Sequence, residues 1–92
     1  MNVRQELVAV FAELTDIDEM EQFFQEIFTP KEISDLALRW QLMKELHQGH
    51  TQRRIAAEHN ISLCKITRGS KVLKKDESIT RRILEERRRS GS

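Results

Sequence analysis

The sequence predicts an all-helical protein, and three observations lead to that fold class. The 92-residue chain has one proline, three glycines and no tyrosine, and it is rich in residues that favour helix. Apolar residues recur at three- and four-residue spacing in successive segments. Hydroxyl or carboxylate side chains precede those segments, where helix N-caps are expected. We therefore expect helices throughout residues 1–92, which we interpret as a single domain.

Residues 1–28 predict two acidic amphipathic helices. Apolar residues at helical spacing lie before and after a break at Thr15-Asp16. Asp16, with Glu19 three residues later, resembles a capping box that starts the second helix. We interpret the phenylalanines of the second helix as core or dimer packing rather than as a ligand pocket.

Residues 29–49 predict a long third helix. Thr29 supplies a hydroxyl N-cap, Pro30 suits the first helical position, and Glu32 can reach back to the cap amide. Gly49 can adopt the positive φ that a helix C-terminus requires. We expect this helix to form the spine of a dimer.

Residues 51–73 predict a helix-turn-helix. Thr51 caps a short helix, Asn60 tolerates a left-handed turn, and Ser62 caps the next helix. Small Ala56 leaves room where the two helices cross. An aliphatic residue is usual where His59 lies, and we interpret His59 as a semi-buried neutral core histidine rather than a ligand.

Residues 76–89 predict a last helix followed by a basic tail. Asp76 or Ser78 is expected to start the helix. We interpret the arginine run 87–89 and the Ser-Gly-Ser after it as a frayed tail.

Charge is unevenly distributed along the chain, although the formal net charge is only +1. Residues 1–28 hold seven acidic side chains and one basic one, whereas residues 50–75 hold seven basic side chains and one acidic one. Binding to nucleic acid requires such a local excess of positive charge. The second half is therefore expected to bind double-stranded DNA, and the alternative is a solvated helix face.

The exposed face of the helix-turn-helix supplies the candidate DNA-contacting residues. With Ile61 and Ile66 turned inward, the first two turns of the second helix can enter the major groove. Residues at the start of the first helix should contact phosphates or the edge of a nucleobase. The remaining basic side chains should contribute to affinity. The candidates are Gln52, Arg53, Arg54, Ser62, Leu63, Cys64, Lys65, Thr67, Lys71 and Lys74.

Several protein classes and sites are not expected. Cys64 is the only cysteine, which precludes an internal disulfide and favours a reducing, cytoplasmic location. Neither a signal peptide nor a membrane span is recognisable. The three histidines lack catalytic partners at suitable spacing, and His47 with His50 would be a weak metal site. We therefore expect no enzyme activity, no metal and no cofactor.

Part of the chain resembles the Trp repressor family. The most specific match to that family is the run Ile66-Thr67-Arg68-Gly69-Ser70. Other pieces follow in the same order: TP-x-E at 29–32, Arg39, TQR at 51–53, and LK at 73–74. The resemblance implies a six-helix intertwined homodimer that reads a palindromic operator and represses genes of tryptophan biosynthesis or transport.

The resemblance also implies L-tryptophan as a corepressor. Arg39 and Arg68 would sandwich the indole, and Arg68 and Thr29 would hold its carboxylate. Gly69 would let the ring approach the backbone. Guanidinium groups do stack on aromatic rings and bind carboxylates. The candidate ligand-binding residues are Thr29, Arg39, Arg68, Gly69, Glu26, Met43 and Val72.

Three departures from the family pattern concern the choice of ligand. Val72 replaces a serine expected to receive the amino group, Lys65 replaces a threonine, and Glu26 replaces a leucine and could receive the amino group instead. A helix-turn-helix regulator that responds to a different small molecule, or to none, is therefore the alternative. A further alternative combines an acidic protein-interaction half with a non-specific nucleic-acid clamp.

Overall fold

The computed structural model describes residues 2–91, and in this range it contains six helices and no strand, which confirms the all-helical prediction. The helices are α1 (Val3–Glu13), α2 (Ile17–Ile27), α3 (Pro30–His47), α4 (Gln52–His59), α5 (Leu63–Lys74) and α6 (Ile79–Arg89). Two compact units share the chain, the first ending at Leu36 and the second beginning at Ala37, both within α3. None of the helices in the described range is long and apolar enough to cross a membrane.

The first two helices begin at side-chain caps. Asn2 and Gln5 form a complete capping box at the start of α1, which the sequence interpretation missed. Asp16 caps α2 by accepting a hydrogen bond from the Glu19 amide at 3.0 Å. This is half of the capping box predicted there, because the reciprocal bond from the Asp16 amide is not among those formed in the described residues.

A cluster of phenylalanine rings joins α1 and α2. The Phe11 ring centroid lies 5.2 Å from that of Phe23 and 5.7 Å from that of Phe24, both edge-to-face. Phe28 stacks on Phe11 with centroids 6.2 Å apart. Aromatic pairs favour these arrangements, so the packing role predicted for the phenylalanines of α2 is confirmed within this unit.

The long helix α3 has the predicted signals at both ends. Thr29 and Glu32 form a reciprocal capping box, with distances of 3.2 Å to the Glu32 amide and 2.9 Å from the Thr29 amide. Gly49 has a φ of +94°, and the amides of Gly49 and His50 donate to the carbonyls of Leu46 and Glu45. This is the Schellman pattern, in which a glycine just beyond the helix satisfies its last carbonyls.

The apolar core of the second unit joins α3, α4 and α5. Ile55 of α4 and Ile66 of α5 are fully buried against Leu42 of α3, which is 5% exposed. Partly buried side chains surround these three, namely Leu38, Leu46, Ala56 and Ile61. The inward positions predicted for Ile61 and Ile66 are therefore confirmed, and this core positions α5.

Helices α4 and α5 are joined by the short turn predicted from the sequence. The Thr51 hydroxyl caps α4 by accepting from the Arg54 amide at 3.1 Å. Asn60 adopts the left-handed conformation with φ 52° and ψ 50°. Ser62 occupies the N-cap of α5, as predicted, but its side chain makes no capping hydrogen bond. The amides at the start of α5 are therefore left to other acceptors.

Helix α6 is longer than the sequence interpretation allowed. It begins after Ser78, whose hydroxyl accepts a hydrogen bond from the Arg81 amide. The helix includes Arg87–Arg89. The assignment of those arginines to a frayed tail is therefore wrong. The pairs Arg81–Glu85 and Arg82–Glu86, with N–O distances of 3.9 Å, support the helix at four-residue spacing. Arginine in the last turn also suits the helix dipole.

Candidate DNA-binding surface and ligand cavity

The predicted DNA-contacting residues share the exposed side of α4, the turn and α5. Gln52 is half-buried and the other nine candidates are exposed. Leu63, at the start of α5, is 48% exposed although it is apolar. Because the inward face of α5 is occupied by Ile66, the side chains at positions 63, 64, 65 and 67 are left toward solvent. The first turns of α5 therefore offer a free surface in this chain.

The basic side chains on this surface differ in whether they form ion pairs within the protein. Arg54 Nε donates to Glu58 Oε1 at 2.9 Å. This charged hydrogen bond from the Arg54 guanidinium holds the pKa of Glu58 below its ordinary value. A phosphate would have to compete with Glu58 for Arg54. We therefore expect weaker phosphate binding by Arg54 than by Lys71 and Lys74 in the last turns of α5.

Two of the candidates contact each other. The Thr67 hydroxyl lies 3.1 Å from Gln52 Oε1 and 2.9 Å from the Leu63 carbonyl oxygen. The contact with Gln52 links the outer sides of α4 and α5. Both side chains are consequently held in place before any ligand is bound.

A cavity of about 160 Å³ lies between α3 and α5 in the second unit. Seven residues line it: Arg39, Leu42, Met43, Lys65, Arg68, Gly69 and Val72. Five of the seven predicted ligand-binding residues are among them. The structure thus brings together the two arginines that the family resemblance assigned to one ligand, although they are 29 positions apart.

The cavity is cationic on one side and apolar on the other. Arg39, Lys65 and Arg68 are exposed bases, and no carboxylate is among the described residues that line the cavity. Leu42 and Met43 are buried and provide an apolar wall. Such a cavity suits a molecule with an apolar body and an anionic group.

Lys65 and Val72 occupy cavity positions that matter for ligand choice. Lys65, counted among the DNA contacts from the sequence, lies on the cavity as well as on the outer surface of α5. Val72 contributes a hydrocarbon surface and no hydrogen-bonding group. An ammonium group would therefore find no partner in the Val72 side chain.

Gly69 of α5 lies against side chains of α3. A Cβ atom added there would lie 3.3 Å from Leu46 Cδ1 and 3.3 Å from Met43 Sδ, closer than an ordinary van der Waals contact. The glycine therefore has a packing role in the free protein. Its predicted contact with a ligand stays a prediction.

The remaining two ligand candidates belong to the first unit. Glu26 is exposed on α2, and Thr29 is the N-cap of α3. Their proposed ligand contacts stay predictions, because the cavity is built from residues of the second unit.

A buried carboxylate at the end of α3 was missed by the sequence analysis. Glu45 is 4% exposed, and its Oε2 lies 2.6 Å from His59 Nε2. The semi-buried position predicted for His59 is confirmed, but its partner was not foreseen. No local sequence signal links two residues 14 positions apart.

Comparison with known proteins identifies the family. The family described as Trp repressor protein matches residues 3–88. The chain belongs to the Trp repressor family. This is a family of transcriptional repressors rather than of enzymes, in agreement with the absence of a predicted catalytic site.

The chain is similar to two proteins from Chlamydia trachomatis, one from serovar D and one from serovar A. Each is described as a Trp operon repressor homolog. Each is 39% identical over 59 residues, which cover 59% of this chain and 63% of the relative. The match therefore spans less than two thirds of either relative's length. No solved structure gives a significant match.

Proposed function

We propose that this protein is a homodimeric, sequence-specific DNA-binding transcriptional repressor whose affinity for its operator is raised by L-tryptophan. One observation carries the proposal: a single helix, α5, lines the cationic cavity on one side and presents the exposed DNA-binding candidates on the other. A ligand in the cavity would therefore shift the orientation of the helix that reads DNA. The family and the name of the chlamydial relatives support the repressor role.

The DNA-binding part of the proposal rests on the surface of α4 and α5. Their arrangement around Ile55, Asn60 and Ile66 suits a helix-turn-helix, in which the second helix enters the major groove. Exposed Lys71 and Lys74 lie on the same helix as the base-reading candidates. Phosphate contacts from such side chains fix the register while the first turns read the bases.

The small apolar core supports a dimer. In the described residues, the buried apolar side chains are Leu42, Met43, Ile55, Ile66 and Leu84, and all of them belong to the second unit. Large apolar side chains remain exposed, including Val3 (82%) and Ile17 (84%). A second copy would cover such surface and would present two reading helices to a palindromic operator.

The ligand part rests on the chemistry of the cavity. Arg39 and Arg68 are suited to stack on an indole ring and to bind a carboxylate, and Met43 gives the ring an apolar wall. A volume of about 160 Å³ is below that of most ligand pockets. The ligand contacts of Thr29 and Glu26 rest on the family resemblance alone.

A second candidate function keeps the DNA binding and changes the ligand. Val72 and Lys65 line the cavity, so one wall lacks an acceptor for an ammonium group and carries an additional cation. This favours a regulator that responds to a different small molecule, or to none.

Selection of duplex DNA from a random library, using the full-length protein with and without L-tryptophan, tests both candidates. We expect one palindromic site to be enriched, with an affinity that rises when L-tryptophan is added. Arg68→Ala should abolish that response, whereas the control Lys74→Ala should weaken binding and retain the response. An affinity unchanged by L-tryptophan would favour the second candidate, and enrichment of no sequence would contradict both.

A further inference from the structure

A cluster of metal-ligating side chains lies at the C-terminal ends of α3 and α4, apart from the cavity. Glu45, Glu58 and His59 bring two carboxylates and an imidazole together, with their ligand atoms all within 4.8 Å of one another. Glu45 is buried, His59 is half-buried and Glu58 is exposed. The cluster therefore has a buried side and a side open to an ion from solvent.

A second histidine faces the same buried carboxylate. The Schellman turn after α3 places His50 opposite Glu45, and His50 Nδ1 lies 3.7 Å from Glu45 Oε1. In this type of helix end the two positions usually make a hydrophobic contact. His50 Nδ1 is a buried atom that has no hydrogen-bond partner within residues 2–91. Buried polar groups without partners are rare, so a further polar or charged group is expected beside Glu45.

We propose that Glu45, Glu58 and His59 bind one divalent transition-metal ion of the zinc type, with water as the remaining ligand. Imidazole nitrogen and carboxylate oxygen are the ligands that Zn²⁺ accepts alongside thiolate. At metal–ligand distances of about 2.1 Å, neighbouring atoms of a tetrahedral site lie roughly 3.4 Å apart. The 2.6 Å between Glu45 Oε2 and His59 Nε2 is a hydrogen-bond distance, so a metal ion would replace that bond and move the two atoms apart.

The charges of the cluster also favour a cation. Two carboxyl groups lie close together and one of them is buried, so a cation bound by both would offset their mutual repulsion. Arg54 binds only Oε1 of Glu58, so the other oxygen of that carboxylate is available to an ion. The Arg54–Glu58 pair and metal binding are therefore compatible.

A metal at this position would connect α4 to α3. Glu45 belongs to the last turn of α3, whereas Glu58 and His59 form the last residues of α4. Binding to the folded chain alone would stabilise the second unit. It would also fix the first helix of the proposed DNA-reading segment on the long helix, independently of the cavity.

Zn²⁺ titration of the untagged full-length chain tests the proposal. The Cys64→Ser background removes the thiol, which would bind Zn²⁺ by itself. We expect calorimetry to show one ion per chain, and Co²⁺ to give the visible absorption of a tetrahedral site. Glu58→Gln and His59→Gln should each weaken Zn²⁺ binding by about tenfold or more. The controls His47→Gln and Glu86→Gln carry the same substitutions outside the cluster and should leave it unchanged.

Thermal unfolding gives a second readout. Zn²⁺ should raise the Tm of the parent and of both control variants, and it should raise that of Glu58→Gln much less. Should His59→Gln fail to fold, Glu58→Gln decides the matter, because Glu58 is exposed and lies outside the apolar core. The proposal is overturned if the parent chain binds no Zn²⁺, or if the cluster variants bind it as tightly as the controls.

Discussion

The hydroxyl of Thr67 in α5 lies 3.1 Å from Oε1 of Gln52 in α4, so the two helices of the proposed DNA-reading segment are linked on their exposed side. The hydroxyl has one proton, and the Leu63 carbonyl at 2.9 Å is its other acceptor. When Thr67 bonds to Gln52, the Gln52 amide group keeps its own donors for DNA. Thr67 thus acts on the DNA-binding surface through Gln52 as well as directly.

Thr67→Val removes this link and keeps the volume of the side chain. We expect affinity of the dimer for the selected DNA site to fall about five- to a hundredfold, since each subunit loses one hydrogen bond of roughly 0.5–1.5 kcal/mol. Fluorescence anisotropy with the labelled duplex measures the change. Thr80→Val, the same substitution in α6, is the control and should bind as the parent does. Equal losses in both variants would argue against a specific role for Thr67.

Lys71→Ala tests whether the exposed lysine side chains of α5 bind phosphate. The proposed homodimer would lose two phosphate-binding side chains, one per subunit, so the dependence of log affinity on log salt concentration should become shallower by about two. Binding should weaken on specific and non-specific duplexes alike, as measured between low and moderate salt. The control is Lys31→Ala, because Lys31 pairs with Asp35 at the start of α3. An unchanged slope in Lys71→Ala would place that side chain away from the backbone.

The helix boundaries were largely predictable because their signals are local. The capping box of Thr29 and Glu32 and the left-handed turn at Asn60 each involve residues within a few positions of one another. The end of α6 was not predictable from the composition of its last turn. Three consecutive arginines suggested fraying, whereas pairs such as Arg82–Glu86 support the helix from the preceding turn.

The candidate site was predictable only where a family motif covered it. Nothing in the periodicity of α3 distinguishes Arg39 from Lys44, and the family resemblance selected the residue that lines the cavity. The pair of Glu45 and His59 lies outside those motifs and forms through packing of α4 on α3. Contacts of that kind depend on the tertiary fold, so sequence spacing does not reveal them.

Ile66→Ala tests the core that positions α5. Ile66 is fully buried between α3 and α4, so we expect the free energy of unfolding to fall by about 2–5 kcal/mol. Urea denaturation at fixed protein concentration measures the loss. The matched control is Leu63→Ala in the same helix, since Leu63 is 48% exposed and its truncation should cost about 0.5 kcal/mol or less. A comparable loss in the control would show that Leu63 is covered in the folded assembly.

Gly69→Ala separates the packing of the cavity from the stability of the protein. The new Cβ would press on Leu46 and Met43 at 3.3 Å, and flexible side chains can yield by the few tenths of an ångström required. Alanine is favoured over glycine inside a helix by about 1 kcal/mol, which offsets that cost. We expect unfolding to change by less than about 1 kcal/mol, whereas affinity for L-tryptophan should fall because Met43 lines the cavity.

The opposite pattern is expected for Gly49→Ala, the matched control. Gly49 has a φ of +94° and nothing within 4 Å of an added Cβ, so the substitution strains the backbone without touching the cavity. Its unfolding free energy should fall by about 1–2 kcal/mol while its affinity for L-tryptophan stays unchanged. Calorimetric titration of L-tryptophan, beside urea denaturation, measures both quantities for both variants. If Gly69→Ala kept full affinity, the close approach of α5 to α3 would matter for folding alone, and the ligand would have to bind elsewhere.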